Sequence, residues 1–498
     1  MIVLRSFRLF VKENFEIIII GSGFGGQIAA INLLKQGISD FLILERRSFI
    51  GGTWSQNTYP GAAVDVPSPL YSVASEPYDW SQLYAEREEL NDYTQLIINK
   101  YLLDKKIQID SNVTKIAWND LSGYWNISID NKNTLKSKFI INASGPLSTP
   151  IIPDFKGREK FLGSSFHSNN WNHDLDLKGK RVAIIGSGAS AAQIIPSIAT
   201  KVKELKIFQR SPHWVIPRKD YKFKNWQRYL LRNRFIYKIL RTVIYWTLEY
   251  RMIGFKYSQK LLNVLGRRQS IKMVHQQITD PELRRKVIPD FSFGCKRVII
   301  SNTLYPAYCR QNVELLDKDN GIKEITENGI ISYDGIEHRL DLIIYSTGYD
   351  ATDGVISYPV IGRNGTLLSD VWSDYPRAYL GTTIPKFPNL FIVTGPNTGI
   401  GHTSALFIIE SQLKYILNCI QQAKKQNKKV IEVTEKAEQD YTTLIHKEME
   451  KTVWHKGGCN SWYKSKSGKI IAMFPGFSFT YRRWAKDFKM KDHTFSDL

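Results

Sequence analysis

At 498 residues, with 43% apolar and 23% charged side chains, the chain is long enough for two or three packed domains and too apolar for a disordered polymer. The formal charge of +21 is large, yet no uninterrupted apolar run approaches the ~18 residues of an ordinary membrane-spanning helix. The nine histidines lack H-E-x-x-H or other clustered ligand spacing, so no metal site is expected.

The opening Met1 to Glu16 is interrupted by Arg5, Arg8 and Lys12 and carries no convincing cleavage site, which makes the cytoplasm the default expectation. Phe15 to Ile20 reads as a buried strand running into Gly21-Ser22-Gly23-Phe24-Gly25-Gly26, followed by a helix near Gln27 to Gln36. A glycine turn of this kind lets backbone amides and a helix N-terminus approach a pyrophosphate, with Gly21, Gly23 and Gly26 as the close-approach positions. The next strand, Phe41 to Leu44, ends at Glu45, about 20 residues on, where a carboxylate grips a ribose hydroxyl pair. That charge would repel a 2′-phosphate, so the site suits the adenosine half of FAD or NAD.

Arg46 to Tyr78 is a long irregular segment with Gly51-Gly52, Tyr59-Pro60-Gly61 and Pro67-Ser68-Pro69 as turn signals, and a loop of this length in a compact enzyme more often lines a site than idles. Ile107 to Ile141 reads as antiparallel strands, ending in Ala143-Ser144-Gly145-Pro146, where the chain crosses into a second unit. There Lys180 to Ile185 leads into Gly186-Ser187-Gly188-Ala189-Ser190-Ala191, a second nucleotide turn carried by Gly186, Gly188 and Ser190. Its next strand, Leu205 to Gln209, ends in Arg210-Ser211 instead of an acid; a guanidinium beside a hydroxyl fits a 2′-phosphate, so the second nucleotide is read as NADPH. Two nucleotide sites in one polypeptide imply electron traffic between two cofactors.

Between Tyr221 and Arg268 twelve Lys or Arg face one acid, Glu249, giving +11 in 48 residues interleaved with aromatic and aliphatic side chains. Such a segment is either a helical subdomain with a solvated basic face or a surface for peripheral membrane contact; nucleic acid is the weakest reading. Asp341 to Ile344 with Ser346-Thr347-Gly348-Tyr349-Asp350 marks the return crossing. Leu390 to Val393 then feeds Gly395-Pro396-Asn397-Thr398-Gly399 and a helix from Ser404 to Ile420, whose N-terminus faces an anion or a polarised ring edge, with Gly399, His402 and Thr403 bordering it. His402 alternatively caps that helix or fills its packed base, and Lys424 to Lys429 reads as an exposed turn. The four cysteines, Cys295, Cys309, Cys419 and Cys459, form no C-x-x-C or C-x-x-x-x-C pair, which argues for a reducing compartment and against a dithiol-disulfide flavoenzyme.

The fold class read from this order is α/β, with two dinucleotide-binding Rossmann-like domains and a helical insertion in the second. The divisions are 1–145 with 350–498 for FAD, 155–217 with 292–349 for NADPH, and 218–291 for the basic insertion.

The motif order resembles the class B flavoprotein monooxygenases, and in particular the type I Baeyer-Villiger monooxygenases. Phe161-Leu162-Gly163-Ser164-Ser165-Phe166-His167-Ser168-Asn169-Asn170-Trp171 matches the family fingerprint F-x-G-x-x-x-H-x-x-x-W, although Asn172 stands where the family usually continues with Pro or Asp. Gly51-Gly52-Thr53-Trp54 and Tyr59-Pro60-Gly61 resemble the flavin-side loop, with Gly52, Trp54 and Tyr59 bordering the cofactors and Asp65 in the position of the active-site acid. Phe293-Gly294-Cys295-Lys296-Arg297 resembles the loop carrying the key arginine, and Gly457 to Tyr463 the C-terminal closing segment.

The resemblance implies that NADPH, held by Gly186, Gly188, Arg210, Ser211 and Lys296, reduces FAD, and that molecular oxygen then gives a flavin C4a-peroxide. Arg297 would stabilise that anion and the adduct formed on a ketone carbonyl, Asp65 would orient Arg297, and the product is an ester or lactone. By the same resemblance His167 and Trp171 belong to a linker coordinating domain rotation. Two further readings stay open: a flavin monooxygenase acting on the sulfur of a sulfide or on an amine nitrogen, and a membrane-peripheral flavoprotein without turnover. The insertion points to a hydrophobic ketone or sulfide as substrate, met in the cytoplasm or at a membrane surface.

Overall fold

The computed structural model describes residues 12–130, 133–352 and 354–498; the part of the opening segment before position 12 lies outside them. Two separate sheets with parallel cores dominate a mixed α/β architecture. The first is built on Asn14–Ile20, which pairs in parallel with Phe41–Leu44 on one side and Asn133–Asn142 on the other. Its Ile17, Ile18 and Ile19 are fully buried, as a near-continuous apolar run requires when both faces of a sheet are covered. Val113–Asn119, Tyr124–Ile129 and Asn133–Asn142 form the expected antiparallel meander. Ile107–Gln108 departs from the expectation: it runs parallel to Phe41–Leu44, because helix Arg87–Lys100 carries the chain back before it re-enters the sheet. Leu390–Ile392 returns from far along the sequence to pair with Asn133–Asn142, and helix Ala405–Lys425 follows it.

The second sheet is fully parallel, in the order Val313–Leu316, Glu204–Phe208, Arg181–Ile185, Leu342–Tyr345 and Ser164–His167. The family fingerprint thus lies on an edge strand, with His167 buried at its end and its ring 5.5 Å from that of Tyr349. Trp171 packs edge-on against Phe166 at 5.3 Å. Residues 225–287 are largely helical, the longest helix being Arg234–Glu249. Among the described residues no helix is long and apolar enough to cross a membrane.

Two smaller differences have local causes. The late helix runs past Ile420 to Lys425, so Lys424 and Lys425 close a helix whose negative C-terminal end favours cations, and the turn proper begins at Gln426. That helix is capped at its start by Ser404, whose hydroxyl accepts from the Leu406 amide; His402 is therefore not its cap.

Candidate active site

In each sheet a central parallel strand ends in a glycine turn, and the two turns are built alike. Gly21 has φ +105° and a Cβ there would sit 2.5 Å from the Ala143 carbonyl oxygen; Gly186 has φ +117° and a Cβ would sit 2.2 Å from that of Ser346. Both first glycines are thus pressed against the segments where the chain crosses between the sheets. A side chain is excluded at each on two counts, backbone conformation and space. A Cβ at Gly26 would lie 2.0 Å from the Gly21 carbonyl oxygen, which brings helix Phe24–Lys35 hard against the turn. Gly23 and Gly52 close on each other, a Cβ on Gly52 falling 2.6 Å from Gly23 Cα, whereas Gly188 faces open space.

Glu45 is buried at the end of its strand and tied to the first turn: Oε2 accepts from the Ser22 amide at 3.0 Å and from Ser22 Oγ at 2.7 Å, and Oε1 accepts from the Arg47 amide at 3.0 Å. In the second unit Arg210 is exposed at the equivalent place. Lys296 Nζ donates to Ser211 Oγ at 2.6 Å, and burial together with neighbouring Arg210 pushes its ammonium below the ordinary lysine range. Two cations and a hydroxyl therefore gather where the first turn has a carboxylate, the donor set that a 2′-phosphate needs. The turn glycines that a side chain would obstruct and these opposite charges are what an FAD adenosine half and an NADPH require of a protein, so the residues present fit both groups.

The long loop joins the two halves. Tyr59 lies on the second unit, its hydroxyl donating to Gln193 Oε1 at 3.1 Å with Ser190 beside it, and Gln193 Nε2 donates to the Ala63 carbonyl at 2.9 Å. Gly61 comes so close to the same helix, Ala189–Ile198, that a Cβ would lie 2.7 Å from the Gln193 carbonyl oxygen. Trp54 remains on the first unit, donating to the Tyr71 hydroxyl at 3.3 Å, and burial raises that tyrosine's pKa. Gly399 is held to the C-terminal segment, its amide donating to the Ala472 carbonyl at 2.8 Å.

At the centre Arg297 Nε donates to Asp65 Oδ2 at 2.7 Å and Nη2 to Asp65 Oδ1 at 2.5 Å, a bidentate pair formed across 232 residues of sequence. The charge of Asp65, reinforced by these hydrogen bonds, holds the guanidinium above its already high ordinary value. The Arg297 side chain stays 48% exposed, leaving its other nitrogen free to face a partner. Tyr463 stands nearby, its pKa pushed up to about 12 by burial against the opposing pull of Arg297. Neighbours in sequence thus reach opposite halves: Lys296 binds Ser211 of the second unit, and Arg297 binds Asp65 of the first.

Three features escaped the sequence reading. Cys295 and Cys459 are joined in a disulfide, Cα to Cα 6.0 Å, which corrects the expectation drawn from their spacing and removes the cysteine argument for a reducing compartment. No local motif marks a pair 164 residues apart; the signal was that both cysteines lie in segments matched separately to one site. Glu249, the one acid of 221–268, lies 3.2 Å from His402 Nε2 and accepts from the amide and hydroxyl of Ser478. Burial pushes its carboxyl up, but the contacts with His402 and Ser478 outweigh it and hold the group below the usual carboxylate range. His213, beside Lys296, is lowered to about 4 by burial and then by that ammonium.

The profile of the flavin-binding monooxygenase-like family matches residues 15–364. A Baeyer-Villiger monooxygenase of Pseudomonas aeruginosa is 39% identical over 479 residues, covering 96% of this chain and 90% of that protein. A second enzyme of that name, from Streptomyces coelicolor, is 38% identical over 477 residues, covering 95% and 91%. Among solved structures, OTEMO in complex with FAD and NADP superposes with a TM-score of 0.88 at 27% identity, over 97% of this chain and 99% of that one. With paired glycine turns, a cation cluster in the second and an Arg-Asp pair between them, the chain belongs to the flavin-binding monooxygenase-like family, in its Baeyer-Villiger branch.

Proposed function

We propose that this chain is an FAD-dependent, NADPH-consuming Baeyer-Villiger monooxygenase that inserts one oxygen atom beside the carbonyl of a hydrophobic ketone, giving an ester or lactone. The observation that carries the reading is the Lys296-Arg297 dipeptide, which reaches the second nucleotide turn through one side chain and the Asp65 loop of the first through the next. Bound FAD, reduced by NADPH, supplies the activated oxygen. Gly21, Gly23, Gly26 and Glu45 would hold the FAD adenosine half, with Gly52, Trp54 and Gly399 nearer the ring. Gly186, Gly188, Ser190, Arg210, Ser211 and Lys296 would hold NADPH, and Tyr59 would border it from the loop.

Arg297 carries a charge it cannot surrender at any working pH, so it stabilises an anionic oxygen without itself supplying a proton. Asp65 fixes two of its three nitrogens and thereby aims Nη1, which is preorganisation: the positive group is in place before charge develops. A sulfur oxygenation would gain nothing from this arrangement, because a soft nucleophile attacks a protonated oxidant. Buried Tyr463 and half-buried Tyr71 flank the same cation on its protein side.

The proposed division of labour places FAD on 1–145 with 350–498 and NADPH on 155–217 with 292–349, with 218–291 inserted between strands of the second sheet. Mixing purified enzyme with NADPH, oxygen and a panel of long-chain ketones, cyclic ketones and sulfides, with products identified by mass, tests the reading. Esters or lactones are expected; sulfoxides alone, with no ester from any ketone, would refute it.

A further inference from the structure

The helix Arg234–Glu249 exposes large apolar side chains and buries two charged ones. Its buried side carries Tyr237, Arg241, Tyr245, Leu248 and Glu249, while Phe235, Ile239, Val243 and Trp246, with Tyr250 just past its end, face outward. The outward residues recur at intervals of three and four and so line one face. Their exposure is high, 71% for Phe235, 58% for Val243 and 64% for Tyr250. Arg241, by contrast, donates inward to the carbonyls of Pro69, Leu70 and Ser72, and Glu249 is taken up by Ser478. A helix that meets water turns its large apolar side chains inward; this one leaves Phe235, Ile239, Val243 and Trp246 outside, beside exposed Arg234 and Lys238, while Arg241 and Glu249 are buried.

The apolar face continues through Phe479, whose ring lies 5.9 Å from Trp246, and the preceding helix, Asn225–Leu231, exposes two more aromatics, Trp226 and Tyr229. The same segment exposes Lys222, Lys224, Arg234, Lys238 and Lys260, and the only acid of 221–268 is withdrawn into the interior. Exposed aromatics together with exposed cations in one segment match the chemistry of a bilayer interface, where rings lie at headgroup depth and basic side chains meet lipid phosphate. A second copy of the chain is the poorer occupant, since two segments of +11 would have to be brought together, whereas anionic lipid neutralises that charge.

We propose that the face formed by Trp226, Tyr229, Phe235, Val243, Trp246 and Phe479 docks on an anionic phospholipid bilayer, laying helix Arg234–Glu249 in the interfacial plane. This deepens the reading above and rests on it for one point, the hydrophobic ketone. The inner side of the same helix grips residues 69 to 72, a few positions beyond Asp65, so a ketone dissolved in the bilayer is delivered beside the site rather than through water.

The test is co-sedimentation of the full-length FAD-loaded enzyme with vesicles of phosphatidylcholine alone and with about one-third phosphatidylglycerol, at low and high salt. Pelleting is expected with the anionic vesicles, weakened by salt. The double variant Phe235→Asp, Trp246→Asp is expected to lose at least about tenfold in vesicle affinity, with NADPH oxidation driven by a water-soluble ketone unchanged. Lys238→Glu is expected to lose at least about fivefold, on anionic vesicles only. Wild type that stays in the supernatant with anionic vesicles at low salt, or a double variant that pellets as well as wild type, overturns the proposal. So does a wild-type dimer that the double variant splits while neither binds lipid, which makes the face a self-association surface. Pelleting that persists in a preparation with no ketone turnover supports the docking face and counts against the proposed reaction alone.

Discussion

Replacing Arg297 with alanine separates a catalytic role from a structural one, because the two predict losses of different size. The guanidinium makes both of its resolved hydrogen bonds to Asp65, in a pair whose side chains are 48% and 27% exposed. Ion pairs with that much solvent contact contribute about 0–1 kcal/mol to stability, so the melting temperature of Arg297→Ala should stay within about 3 °C of wild type. A preorganised donor to a developing oxyanion is worth about 3 kcal/mol, or 10²- to 10³-fold in rate. Stopped-flow absorbance at the flavin band measures the reductive half-reaction with NADPH, and product analysis by mass measures oxygen insertion. Reduction should persist at a rate within about tenfold of wild type while ester formation falls by at least about 10². Arg297→Lys keeps the charge but loses the fork that Asp65 holds, so its activity should lie between the two. Ester formation in Arg297→Ala within tenfold of wild type, or a parallel collapse of reduction and melting temperature, would refute the assignment.

Four further outcomes follow from the geometry. Arg210→Ala removes one of the two cations near Ser211 and should raise KM for NADPH about 10- to 100-fold while leaving KM for NADH nearly unchanged, measured by steady-state NAD(P)H oxidation. Gly21→Ala places a methyl 2.5 Å from the Ala143 carbonyl oxygen at a positive φ and should give protein purified without FAD, read from the flavin-to-protein absorbance ratio; a yellow, stoichiometric variant would contradict the turn geometry. Cys459→Ser opens a loop closed across 164 residues and should lower stability by up to about 5 kcal/mol in the chain-entropy picture, seen in denaturant midpoints with and without reductant. His213 has its folded pKa lowered to about 4, so the folded state binds this proton less readily than the unfolded chain does. The stability this confers is present above the unfolded pKa of ~6.5 and is lost as pH falls from there through about 4; His213→Gln should flatten the urea midpoint against pH over that window.

Both nucleotide turns were legible in the sequence because everything that defines them is local: an apolar strand, a glycine run, a helix, and the charge at the end of the next strand. Glu45 and Arg210 were legible for the same reason, since each stands at a fixed offset after its turn, and the phosphate preference proposed for them rests on that offset. The crossings at 143–146 and 346–350 were equally readable, and the structure adds why they are tight, as Gly21 and Gly186 lie against their carbonyls. The Arg297-Asp65 pair was accessible only through resemblance, because nothing in the spacing of residues 232 apart predicts contact. Cys295 with Cys459 and Glu249 with His402 were invisible on similar grounds: each joins segments that the sequence presents as unrelated. The insertion was read correctly as basic and aromatic, but composition does not say which side of a helix turns inward. That depended on Arg241 finding three carbonyls to bind, a property of the receiving loop and not of the helix itself.

The covalent tie between Cys295 and Cys459 has a mechanical consequence. The loop that carries Lys296 and Arg297 is fastened through its neighbour Cys295 to the segment around Cys459, so those two stretches of chain cannot separate while the bond is intact.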